Sequence, residues 1–228
     1  MSELLHFSEH TLQELALGIM ALVYIARVGW FLRFKPARER QAPTGDPSTT
    51  PLKGILYSWA AIATPWVMES MRRKMFLYLQ FVVFHLGVAV AIALSFIIPY
   101  GPGLLESRPL VLVIQIVTGS ACLVGLIRLV RRAGSVYMRA ISSPDDYFSV
   151  ILLAVWLFFA MLAAPNNHSR TEWQLLVYFI MTAFFLIYVP FSKISHYLYY
   201  PFTRYYLGKT LGYRGVFPIR RGPKVKVL

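Results

Sequence analysis

Long apolar runs alternate with short polar breaks along this chain. Each run has the length an α-helix needs to cross a bilayer, and five are expected at about 11–33, 75–99, 109–130, 147–165 and 173–197. The breaks carry turn chemistry. Pro99-Tyr100-Gly101-Pro102-Gly103 turns the chain after the second run, and Pro165-Asn166-Asn167-His168 after the fourth. Ser142-Ser143-Pro144-Asp145-Asp146 reads as a helix start for the fourth run, capped by Ser or Asp. The pattern predicts an all-α, polytopic membrane protein: a five-transmembrane-helix bundle forming one membrane domain over 1–228.

The longest break, 41–74, is predicted to be a loop with two parts. Its Pro/Thr/Ser-rich stretch Gln41–Pro51 should lack regular structure. The following Gly54–Trp66 stretch, with Tyr57, Trp59 and Trp66, reads as an interfacial segment lying on one leaflet. After the fifth run, 198–228 reads as an aromatic and basic tail, with Pro201 ending the last helix.

Composition agrees: 57% of residues are hydrophobic and only 14% are charged. The net charge of +13 would point to nucleic acid in a soluble protein. Here the 23 Lys and Arg residues sort by loop instead. The first and third connections and the C-terminal end carry all but three of them; Arg108 and Arg170 fall on the other side, and Arg27 within the first run. The positive-inside rule then predicts a periplasmic N-terminus and a cytoplasmic C-terminus, with no nucleic-acid partner. Glu3 and Glu9 precede the first run where a basic n-region would stand, so no cleavable signal peptide is expected. The single cysteine, Cys122, excludes a disulfide, a c-type haem attachment motif and an iron–sulfur cluster held by this chain alone.

Candidate chemistry rests on histidine. Of five, only His85 and His196 fall in apolar runs; His6, His10 and His168 lie in polar segments. An imidazole in lipid is costly and needs a partner. Two of them on different membrane helices point to one shared ligand, and a bis-histidine haem b is the candidate, with His85 and His196 as iron ligands. Counting at ~1.5 Å per residue, a straight second helix puts His85 ~22 Å from Tyr100, and a straight fifth puts His196 ~31 Å from Leu175. The two depths then differ by ~9 Å, which tilt must absorb. Thr118-Gly119-Ser120-Ala121-Cys122 and Gly125 in the third run suit close approach of another helix or of a flat macrocycle.

Several stretches resemble one family. Phe84-His85-Leu86-Gly87, Gly119…Cys122-Leu123-Val124-Gly125…Arg131-Arg132 and Pro190-Phe191-Ser192-Lys193…His196 look like the gamma subunit of respiratory nitrate reductase, over all five runs. Thr64-Pro65-Trp66…Met68-Glu69-Ser70…Arg72 looks more like the HmcE/DsrM-type cytochrome b membrane subunits of sulfate-reducer redox complexes, to which length and overall pattern are closest. The resemblance implies that His85 and His196 match the pair holding the haem nearer the cytoplasm. At the positions of the family's other pair stand Ser95 and Tyr178, neither an ordinary axial ligand, so one haem b is expected. Arg139 aligns with a basic position that would meet a propionate; Arg128, Arg27 and Lys193 are further candidates.

The resemblance also implies a setting. The chain would be a subunit of a respiratory electron-transfer complex in the bacterial cytoplasmic (inner) membrane. Its partners in that hetero-oligomer would be a cytoplasmic iron–sulfur protein, another integral membrane subunit and a periplasmic multihaem cytochrome c, with menaquinone as a candidate ligand. No complete active site is expected on this chain alone. The alternatives are a quinone-reactive cytochrome b subunit and a haem-free anchor or scaffold of such a complex. A transporter fits least, since the runs lack the paired buried acids of an ion path.

Overall fold

The computed structural model describes residues 2–34, 40–61, 63–64, 72–169 and 172–219. Thr64 and Arg72 fall inside these bounds, while Pro65–Met71, with Trp66 and the Met68-Glu69-Ser70 part of the resemblance, lies outside them. Among the described residues the structure is helical, with no strand. Five helical segments are long and apolar enough to cross a membrane, as in a multi-pass membrane protein. The chain divides into two compact units, Met1–Arg27 with Phe76–Ser195, and Val28–Met75 with His196–Leu228.

The first unit is built from α1 (Glu3–Glu9), most of α2 (Thr11–Leu32), α4 (Met75–Tyr100), α5 (Arg108–Gly134), the short α6 (Val136–Ala140), α7 (Pro144–Ala163) and α8 (Glu172–Tyr188). Its helix ends follow local chemistry. Ser2 caps α1 by accepting from Leu5 N at 3.2 Å. Asp146 reaches back to Ser143 N at 2.8 Å, so the Ser-Pro-Asp-Asp signal does start α7. Asn166 turns the chain after α7 with φ +50°, a left-handed conformation that asparagine tolerates.

Small residues set how closely the helices approach. A Cβ on Gly87 of α4 would overlap that of Ala121 on α5. One on Gly125 would stand 3.3 Å from Phe84 of α4 and 3.4 Å from Ala154 of α7. The stripe of small residues on α5 therefore serves helix packing on two sides, and Cys122 joins it by donating to Ala154 O at 3.3 Å.

Several polar groups inside this unit are paired across helices. Tyr178 of α8, fully buried, donates to Ala91 O of α4 at 2.6 Å. Trp156 of α7 donates through Nε1 to Thr182 Oγ1 at 2.8 Å, and Thr182 donates to Tyr178 O at 2.7 Å. Gln13 of α2 gives its amide to Ser8 O and Phe179 O. Leu5, Leu94, Leu157, Leu175 and Phe179 fill the surrounding core.

The second unit pairs α3 (Pro51–Ala60) with α9 (His196–Tyr213). Thr50 and Pro51 start α3, and Thr50 accepts from Lys53 N at 3.2 Å. Gly54 faces Gly208 and Gly212 so closely that a Cβ at any of the three would strike the opposite backbone. Arg204 donates twice to Ser58 O, at 2.9 and 2.7 Å, and Trp59 Nε1 donates to Pro201 O at 3.1 Å. Gln41–Thr50 carries no helix, yet it is held: Gly45 N and Asp46 N donate to Arg214 O and Gly215 O. Gly215 adopts φ +79°, which only glycine takes easily.

Two sequence expectations change here. The fifth apolar helix is predicted to run to 197, but α8 ends at Tyr188, where 3-10 turns Val189–Phe191 and Lys193–Ser195 follow. Pro190 has no N–H to continue the ladder. Pro201, predicted to end a helix, lies inside α9. It falls in the second turn, so the bond it omits is one, and the packing of α9 on α3 offsets the loss. The stretch from 198 to Tyr213 is thus a packed helix.

Gly208→Val should force α9 off α3, a change of about 1–3 kcal/mol by overpacking. Limited proteolysis should then cut within Gln41–Ala60 several times faster than in the wild type; unchanged cleavage would contradict the packing described.

Candidate functional site

His85 stands on α4, exposed, on a face set by its neighbours. Its Nδ1 lies 2.8 Å from Phe81 O, one turn earlier. A carbonyl can only accept, so Nδ1 donates, and the backbone carbonyl holds the orientation of the ring. The rings of Phe81 and Phe84 flank it at 4.0 and 5.9 Å between centroids.

The Arg128 guanidinium of α5 sits 5.0 Å from the Phe84 ring centroid, a cation–π contact. Tyr100 OH donates to Glu14 at 2.9 Å and so registers α4 against α2. Among the described residues, Arg27 Nη1 is buried without a hydrogen-bond partner.

The remaining predicted residues are placed as follows. His196 is the first residue of α9, exposed, with its ring edge-on to Tyr197 at 6.4 Å. It belongs to the second unit and His85 to the first. The two 3-10 turns before it replace the straight helix on which the ~9 Å depth offset was counted. Arg139 Nη1 donates to Ala133 O at 2.7 Å, satisfying a carbonyl at the C-terminal end of α5. Lys193 Nζ donates to Ser143 Oγ at 2.7 Å and Asp146 Oδ2 at 2.9 Å, tying the turn after α8 to the start of α7.

Ser95 and Tyr178 lie in the packed interior. Tyr178 is bonded to α4, and Trp156 stacks on its ring at 6.3 Å. Ser95 Oγ donates to Ile92 O at 2.7 Å. The first unit is filled by side chains at this point.

One cluster was not predicted. At the Tyr100 end of the first unit, Glu9 is 3% exposed and its Oε1 lies 3.6 Å from His168 Nε2. The rings of His6 and His10 stand 4.8 Å apart, and His10 meets Tyr100 edge-on at 5.7 Å. The i, i+4 spacing of His6 and His10 is the only trace of it in the sequence. Among the described residues, no three His, Cys, Asp or Glu side chains converge to hold a metal ion.

No protein-family model, curated protein or solved structure matches this chain.

The contact beneath His85 is open to test. A double-mutant cycle on Phe84→Leu and Arg128→Gln should give a coupling of about 0.5–2 kcal/mol in thermal unfolding of the detergent-solubilised protein. Simple additivity would mean that the guanidinium and the ring do not interact.

Proposed function

We propose that this chain is the haem b-bearing membrane subunit of a respiratory transmembrane electron-transfer complex. It holds one haem, with His85 and His196 as axial ligands. It relays electrons between the quinone pool or a periplasmic multihaem cytochrome c and a cytoplasmic iron–sulfur subunit. It lies in the bacterial cytoplasmic membrane beside another integral subunit, with its N-terminus periplasmic and its C-terminus cytoplasmic.

The observation that carries this proposal is the Nδ1 contact of His85 with Phe81 O. It fixes the orientation of the ring, as a backbone carbonyl does for a metal-ligating imidazole. Two further features support it. Arg128 lies over the ring of Phe84, the residue before His85, and is a cation of the kind an anionic propionate needs. Tyr178 and Trp156 fill the first unit at the family's other haem position, in keeping with a single haem. The sorting of Lys and Arg by loop supports the orientation.

When bound, haem supplies a one-electron ferric/ferrous couple. The work of the chain is to orient the imidazoles, to offset propionate charge and to keep water from the ring. Ligation and burial then set the potential. Menaquinone is a candidate reductant or oxidant beside the haem.

His85→Ala and His196→Ala should each abolish the b-type absorbance of the purified protein, while His168→Ala leaves it unchanged. A spectrum retained in both single alanine variants would overturn the ligand assignment. No b-type absorbance in the wild type would favour a haem-free anchor.

A further inference from the structure

The Tyr100 end of the first unit holds three of the five histidines and a buried acid, and none of them has a part in the proposed electron path. Glu9 closes α1. Among the described residues its Oε1 accepts no hydrogen bond, and its near neighbour is His168 Nε2 at 3.6 Å, an ion-pair distance. The groups that act on its charge are His168, from the turn between α7 and α8, and His10 and His6 from its own segment. Beyond them lie Glu14, bound by Tyr100, and Glu172, which accepts from Ser2 N at 2.6 Å.

A carboxylate so enclosed is costly unless a cation or a proton meets it. The groups around it are imidazoles, and the state of Glu9 follows a proton shared with His168. With one proton on the pair, the choice is between an ion pair and two neutral groups, and neither leaves a bare buried charge. With none, a buried anion faces a neutral ring.

That difference falls on α1, because the pair joins it to a distant segment. Its other ties are the buried Leu5, the Ser2–Glu172 bond and, just beyond it, Gln13 on Phe179 O. We infer that Glu9 and His168 form a proton-binding pair that fastens α1 to the turn between α7 and α8, docked while the pair holds its proton and loosened when the proton leaves. The sign follows: docking is strongest at low pH, where the pair holds its proton, and weakens as pH rises.

Amide hydrogen exchange of the Ser2–His10 segment in the full-length, detergent-solubilised protein tests this, with rates corrected for the intrinsic pH dependence of exchange. Corrected exchange should be about tenfold faster at pH 8 than at pH 5.5, a cautious figure for breaking one buried pair. Glu9→Gln and His168→Gln should each flatten this dependence, and His6→Gln should leave it in place. Equal corrected rates in the wild type at the two pH values would overturn the inference, as would a pH step that survives His168→Gln. If Glu9→Gln does not fold, His168→Gln alone decides.

Discussion

Inside an apolar bundle no water is at hand, so every buried polar group must find its partner within the protein. The run from Trp156 through Thr182 and Tyr178 to Ala91 O meets that demand, and in doing so it ties α7, α8 and α4 together. The bond on Ala91 also fixes the rotation of α4. His85 lies six residues before Ala91, and at ~100° per residue it projects ~120° away from the Tyr178 contact. The exposure of the imidazole on the helix surface follows from where the phenol is anchored.

Close packing then supplies the surroundings of that imidazole. Gly87 lets α5 come against α4, and Gly125 makes room for the edge of Phe84. With α5 so near, Arg128 reaches across the Phe84 ring and brings a cation within one residue of His85. The aromatic ring meets the charge in place of water. Sequence position, helix contact and electrostatics meet at Phe84, the residue before His85.

The apolar runs were legible because lipid-length hydrophobicity is a strong, local signal. The second run, expected at about 75–99, is the helix Met75–Tyr100, and the third, about 109–130, lies within Arg108–Gly134. The fifth was overrun because hydropathy does not register the missing N–H of Pro190, and Pro201 was overread because its partner helix α3 was not anticipated. The Gly54–Gly208–Gly212 contact joins segments far apart in sequence, as does Glu9 with His168, and neither had a local pattern to announce it. At the candidate site, His85 and His196 stood out as imidazoles among apolar residues. The Phe81 carbonyl that orients the ring of His85 could not be seen before the helix was built.

We propose that one iron-porphyrin is held by the imidazoles of His85 and His196. Pyridine haemochrome quantification against polypeptide concentration, on protein purified from its native membrane, tests that claim most directly. One haem b per chain is the predicted result; none, or two, would contradict it.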